Sequence, residues 1–305
     1  MNQKTRNTLF IGNGFSRAIF QDMPSWENLF DKIESNINNY TILYEMFLLD
    51  KSRGPNKESR VKAQLVEQIK AAFSREKINK DMCGLNQFGE FLVQKNVDDI
   101  ITTNYDKGIE ILLCELCGYT PKERSGVASE SIYSIRTHEE FFNEEQNHTV
   151  RLWKIHGDLD RIKSVTLGFD QYCGALAKIE SYIKGKYEYE FRNEKIKCRT
   201  PMVEKCRTNG FDNLSWVELF FNSNVYIVGF GMDFSEIDIW WLVNKRARFK
   251  AEVPQIKNRI SYLYDPEYIE DQTIIDALKA FDVECKKIKY GNGYINNIFQ
   301  QIKVD

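Results

Sequence analysis

The amino-acid sequence predicts an α/β fold: a doubly wound, mostly parallel sheet with helical insertions. Two observations carry that prediction. Short apolar bursts recur along the chain, and stretches of helical period separate them. The bursts are "TLFIGN" (8–13), "DDIITTN" (98–104), "RLWKIHG" (151–157), "SVTLG" (164–168), "NVYIVGFG" (224–231) and "RISYLYD" (259–265), with "VECKKIKY" (283–290) closing the series. Helical stretches between them include "SWENLFDKIESNI", "YDKGIEILLCEL", "SEIDIWWLVNKRARF" and "DQTIIDALKAF". Strands that alternate with helices form parallel sheets covered on both faces, the Rossmann-like plan. Ligands in such sheets lie beyond the carboxyl ends of the strands. The residues that follow each burst are therefore the functional candidates.

Taken in order, the first burst runs into Gly12-Asn13-Gly14-Phe15-Ser16. Glycines there let the backbone approach a phosphate, and they equally suit a tight structural turn. Residues 31 to about 92 hold helical patterns without a convincing strand, broken at "SRGPNK" (52–57). The second burst ends in Thr102, Thr103, Asn104 and Asp106, a cluster richer than a helix cap alone requires. The third ends at His156-Gly157. Among three histidines, His138 and His148 lie in polar surroundings and are expected at the surface. Residues 170 to about 215 are polar and aromatic-rich and read as a second helical or irregular insertion. The burst at 224–231 repeats the strand-to-glycine pattern, with Gly229 and Gly231 followed by Asp233 or Ser235 to cap the next helix. Two such turns suit a ligand with two separated polar parts, such as a dinucleotide, and two purely structural turns would look the same. The whole is read as one domain, 1–305.

Composition excludes several classes. Forty-two Lys and Arg against 44 acids give a net charge of −2, which offers no global attraction to nucleic acid or an anionic membrane. No apolar run is long enough to cross a bilayer, and "MNQKTRNTLF" lacks the core of a signal peptide, so a cytoplasmic location is expected. Seven scattered cysteines fit reduced thiols better than a disulfide framework. Cys114 and Cys117 form a C-x-x-C that lacks a second close pair, and the reading is buried thiols on one helix face, with no metal expected. The run 192–207 carries six basic residues against two acidic ones and reads as a solvated face.

The strand ends, in this order, resemble the sirtuin-like (silent information regulator-like) family. The first turn resembles its G-A-G-x-S loop with Asn13 in place of alanine, "TTNYD" its T-Q-N-x-D element with Thr103 in place of glutamine, and "IHG" its catalytic H-G. "GFGMDFSEID" is similar to the late glycine-serine turn, and "MPSWENLF" to the P-S-W-x-x-L of bacterial anti-phage defence members, Thoeris-type and relatives. Two departures stand out. The paired C-x-x-C zinc module of protein-deacylating members is missing, and "SRAIFQDMPSW" only loosely echoes their Arg-rich segment.

The resemblance implies NAD+ as substrate, cleaved between nicotinamide and ribose. It implies catalytic roles for Asn104 and His156. Gly12, Asn13, Gly14 and Ser16 would hold the pyrophosphate, Gly229, Gly231 and Ser235 the adenosine ribose, and Thr103 and Asp106 would contribute to binding or brace the loop. No acid pair is evident near these residues, in keeping with a nicotinamide that departs neutral without a general acid. The expected function is an NAD+ glycohydrolase, a depleting effector of abortive infection. Protein deacylation and a non-catalytic NAD or ADP-ribose sensor are the alternatives, and cyclisation of ADP-ribose stays open. Such an effector must be silent until triggered, so a homo-oligomer and a separate activator or sensor protein are expected, with nucleic acid reached only through a partner. Trp240 and Trp241 cannot both face one core stripe, which leaves one for an interface or for burial under the second insertion.

Overall fold

The computed structural model describes residues 6–21, 40–51, 57–73, 77–79, 81–122, 130, 132–191, 194–269 and 271–304. Its strands are β1 (Asn7–Ile11), β2 (Phe20–Gln21), β3 (Lys77–Ile78), β4 (Val97–Thr102), β5 (Thr120–Pro121), β6 (Glu139–Asn143), β7 (His148–Lys154), β8 (Tyr187–Phe191), β9 (Glu194–Cys198), β10 (Asn224–Val228), β11 (Ile260–Tyr264) and β12 (Val283–Lys287). The described helices are α1 (Asn13–Ile19), α2 (Tyr40–Lys51), α3 (Lys57–Phe73), α4 (Phe88–Gln94), α5 (Gly108–Ile111), α6 (Phe169–Ile183), α7 (Met202–Thr208), α8 (Trp216–Asn222), α9 (Ile237–Glu252), α10 (Gln272–Ala280) and α11 (Tyr294–Gln301). "MPSWENLF" and "SWENLFDKIESNI" lie outside the described residues.

Eight strands form one sheet in the order β12-β11-β10-β1-β4-β7-β6-β5. From β12 to β7 every pairing is parallel, and β6 and β5 add an antiparallel edge. Strand order reverses between β1 and β10, which pair in register from Asn7–Asn224 to Ile11–Val228. This is the 3-2-1-4-5-6 order of dinucleotide-binding sheets, which opens a crevice where the order reverses. β1 is buried along its whole length, and Leu9-Phe10-Ile11 run without polar alternation because both faces are covered. Leu9 and Ile11 enter one core with Phe15 and Phe88, while Phe10 enters the other with Trp216 and Phe220. Among the described residues no helix is long and apolar enough to cross a membrane.

Several expectations need correction. "SVTLG" forms no strand: residues Ile162–Ser164 make a 3-10 turn and the rest is loop, tied to the end of β7 by the Thr166 amide donating to the His156 carbonyl at 2.8 Å. The run is apolar because it packs beneath the sheet end. The segment 170–215 is more regular than expected, since "YEYEF" and "EKIKC" pair as the hairpin β8–β9. Their period of two buries Tyr187 and Tyr189 and exposes the charges. Lys197 pairs with Glu188 across the hairpin at 2.6 Å, and Lys195 stands opposite Glu190, so part of the basic run is neutralised within its own sheet.

His138 is buried against Trp153, the rings tilted by 40° with centroids 4.3 Å apart, and His148 is half-buried between Asp98 and Tyr119. Their polar neighbours in sequence belong to the antiparallel edge, which turns the two rings inward. The C-x-x-C splits, with Cys114 exposed and Cys117 buried. The helix widens into a π turn at Leu112–Leu116, and the longer turn removes the shared face that a spacing of three would give. Trp240 is buried and stacks on Phe234, whereas Trp241 packs half-buried at the edge of a core with Lys245 over its ring.

Buried ion pairs anchor the second inserted segment. Lys205 of α7 bonds Glu218 of α8, and Glu218 also accepts from Tyr182 Oη at 2.9 Å and from the Asn213 amide at 2.8 Å. Glu218 is fully buried. Replacing it leaves the buried Lys205 ammonium only the longer contacts to Asp212 at 3.6 Å and Tyr182 Oη at 3.4 Å, so Glu218→Ala is expected to cost about 3 kcal/mol, read as a lower urea midpoint.

Candidate functional site

The site lies where the sheet's order reverses. Beyond β1 and β10 the two glycine turns bond each other: the Gly12 amide donates to the Val228 carbonyl at 3.0 Å and the Gly14 amide to the Gly229 carbonyl at 2.7 Å. A Cβ on Gly12 would fall 2.5 Å from the Gly229 oxygen, and one on Gly229, at φ +59°, would fall 2.1 Å from the Phe15 nitrogen. The close approach that these two glycines permit is thus of one turn to the other. Gly231 differs, because among the described residues a Cβ there would meet no atom within 4 Å.

A cavity of about 740 Å³ opens over these turns. Of the residues singled out from sequence, Asn13, Gly14, Thr103, Asn104 and His156 line it, as do Gly229, Gly231 and Ser235. Gly12, Ser16 and Asp106 are not on its wall. Ser16 is fully buried, and its Oγ accepts from the Asn104 side-chain amide at 2.9 Å. The Asn104 backbone amide donates to Thr102 Oγ1 at 3.0 Å, and that hydroxyl donates to the Ile11 carbonyl at 2.8 Å. The first turn therefore aims Asn104 as well as lining the cavity. Asp106 braces the loop, its Oδ1 accepting from the Gly108 amide at 2.8 Å and its carbonyl from Lys154 Nζ at 2.6 Å. Ser235 Oγ donates to Asp233 Oδ1 at 2.6 Å.

His156 is not isolated, and the expectation of no nearby acid pair is overturned. Its Nε2 lies 3.0 Å from Asp238 Oδ2 and its Nδ1 lies 3.5 Å from Glu236 Oε2. Tyr172 Oη donates to the same Glu236 oxygen at 3.1 Å, and the Tyr172 ring meets the imidazole edge-on at 5.3 Å. Burial alone would lower the His156 pKa, but the two carboxylates and the Asp238 hydrogen bond outweigh it and raise the value above the usual imidazole range. Burial pushes Glu236 up to about 7 despite the opposing pull of His156. By residue type, this trio is also the set among the described residues that could hold a metal ion, its ligand atoms lying within 4.8 Å of one another. Both ring nitrogens already face carboxylates, an arrangement that protons satisfy.

The acids lie in "GFGMDFSEID", from which the sequence pattern marks Gly229, Gly231, Asp233 and Ser235 but not Glu236 or Asp238. Their signal was positional: Glu236 and Asp238 open the helix after the β10 turn, on the sheet edge that also presents His156. The aromatic wall was also missed. Tyr262, Tyr264, Tyr268 and Tyr290 line the far part of the cavity, with Tyr262 and Tyr264 stacked at 5.7 Å. Tyr262 Oη donates to the Phe230 carbonyl at 2.8 Å, and the Tyr290 amide donates to Asp265 Oδ2 at 2.7 Å. Tyrosine faces at the ends of β11 and β12 suit a planar ring.

Three features fit a nucleotide of NAD size. The glycine turns meet at the crevice, Gly231 leaves open space, and Thr166 Oγ1, fully buried at the cavity wall, has no hydrogen-bond partner among the described residues. Residues 98–198 match the family model described as "SIR2-like domain", which supports a sirtuin-like relationship and NAD-related chemistry. The matched span holds Asn104, Asp106 and His156 but neither glycine turn. No curated protein matches the chain.

Proposed function

We propose that this chain is an NAD+ glycohydrolase that releases nicotinamide and ADP-ribose. The observation that carries the reading is the meeting of Asn104 and His156, from the ends of β4 and β7, on one cavity at the reversal point of the sheet. Both lie in the span that matches the SIR2-like domain. Nicotinamide in NAD+ bears a positive charge and leaves neutral, so the site must stabilise an oxocarbenium-like ribose and deliver water rather than protonate a leaving group.

Asn104 donates and accepts without acting as a base, which suits orientation of a ribose hydroxyl and the incoming water. Ser16 and Thr102 fix its orientation. His156 lies at the cavity floor with its charge balanced by Asp238 and Glu236. We assign Asn13 and Gly14 to the pyrophosphate, Gly229, Gly231 and Ser235 to the adenosine ribose, and the tyrosine wall to the adenine, a reading supported by their lining one cavity. At the level of the cell we assign the activity to NAD depletion in bacterial anti-phage defence, in the cytoplasm, with a homo-oligomer and a separate activator controlling it. That assignment rests on the motif resemblance.

Nicotinamide release from NAD+ by purified protein beside Asn104→Ala tests the reading. The variant is expected to bind NAD+ and to release nicotinamide roughly 100-fold more slowly, the scale of losing one oriented polar contact at a reacting centre. Release that proceeds at the wild-type rate in Asn104→Ala would remove the site from the reaction.

A further inference from the structure

We infer that Glu236 is a further catalytic residue, the group that takes the proton from the attacking water, with Asp238 as a positioning residue beneath it. The inference rests on the hydrolase reading and deepens it. Geometry separates the two carboxylates and the imidazole by depth. The side chains of His156 and Asp238 are each 2% exposed, whereas that of Glu236 is 18% exposed. Glu236 lines the cavity, and Asp238 does not. Asp238 engages His156 through Nε2, which leaves Nδ1 directed at Glu236 Oε2. The imidazole is thus committed on both sides, and the carboxylate above it is the group with an open face.

Groups facing Glu236 come from each element around it: His156 after β7, Tyr172 on α6, Tyr105 after β4, and Asp233 and Asp238 on its own turn and helix. Tyr172 and His156 steady one oxygen of Glu236 by hydrogen bonding and charge. Burial and the neighbouring acids hold the carboxyl near neutrality, where a base is most effective.

The step balances without a further reactant. The C1′–N bond breaks and its electron pair leaves with nicotinamide, which becomes neutral. Water oxygen then forms the C1′–O bond, and its proton passes to the Glu236 carboxylate and on to solvent. Overall, NAD+ and water give ADP-ribose, nicotinamide and one proton.

Glu236→Gln keeps the shape and the acceptor for Tyr172 while removing the base. Nicotinamide release from NAD+ by the full chain is measured from pH 5.5 to 9, a range set by a midpoint of about 7. Wild-type rates are expected to rise with pH through that midpoint and then level. Glu236→Gln is expected to lose roughly 100-fold or more and the pH limb with it, at unchanged NAD+ affinity. With only three histidines in the chain, the His156 imidazole can be followed by nuclear magnetic resonance, and its midpoint should fall in Glu236→Gln if the site is intact. Wild-type release with a Glu236→Gln rate within about threefold would overturn this inference alone, well short of the effect of a general base. Loss of wild-type activity to EDTA, restored by a divalent cation, would overturn it too, assigning the trio to an ion. NAD+ bound by wild-type protein but left intact would overturn the hydrolase reading, and this inference with it.

Discussion

His156→Ala is expected to reduce nicotinamide release by roughly 10²–10⁴-fold, the range for removal of a group central to proton handling at a reacting centre. The effect should be large because His156 serves two neighbours at once. It sits between Asp238 and Glu236, which raise its pKa, and without it the two acidic side chains face each other in a buried site. Asp238 then raises the Glu236 pKa without the opposing pull of His156, and the cavity loses its balance of charge. Removing one partner of a buried pair also costs stability, on the order of 3–5 kcal/mol. His156→Gln is therefore the companion variant, since its amide can still donate to Asp238. It should fold like wild type by circular dichroism and remain as inactive as His156→Ala. Recovery of activity in His156→Gln would mean that hydrogen bonding at this position suffices and its charge does not matter.

Gly229→Ala is expected to destabilise the protein by about 2–6 kcal/mol, combining left-handed backbone strain of about 1–3 with overpacking of about 1–3. The position has φ +59°, and the added methyl would fall 2.1 Å from the Phe15 nitrogen, backbone that cannot move without shifting β1's turn. Both turns at the reversal point would be displaced together, because the Gly14 amide bonds the Gly229 carbonyl. Gly231→Ala, two residues on, meets no atom within 4 Å among the described residues and should stay within about 0.5 kcal/mol of wild type. Urea midpoints distinguish the two. Equal losses in both variants would contradict the contact that the turns make.

The strands that carry the site were legible because parallel strands buried on both faces leave continuous apolar runs. "TLFIGN", "DDIITTN", "RLWKIHG" and "NVYIVGFG" correspond to β1, β4, β7 and β10. Where the structure is antiparallel or polar, the pattern failed. The edge strand β6 and the hairpin β8–β9 mix charges with aromatics, and β5 is only two residues long; their inward faces depend on pairing partners that no local pattern names. "SVTLG" failed in the opposite sense, since buried loop and buried strand have the same composition.

At the site, Asn104 and His156 were visible as polar residues that interrupt strand ends. Ser16, expected at the pyrophosphate, instead orients Asn104, a contact between residues 88 positions apart that no local pattern encodes. Glu236 and Asp238 sat in a quoted motif, but only the sheet's order brings the end of β10 beside the end of β7's loop. The tyrosine wall was hidden for a similar reason. Its members read as ordinary strand aromatics until β11 and β12 are seen to end at the same crevice.

The central claim is that this cavity consumes NAD+ by hydrolysis. The most direct measurement quantifies nicotinamide and ADP-ribose together after NAD+ is incubated with the purified full chain in ¹⁸O-labelled water. The account predicts equal amounts of the two products, with the label at C1′ of ADP-ribose. NAD+ that binds and is recovered intact would contradict it, and so would nicotinamide accompanied by an unlabelled cyclic product.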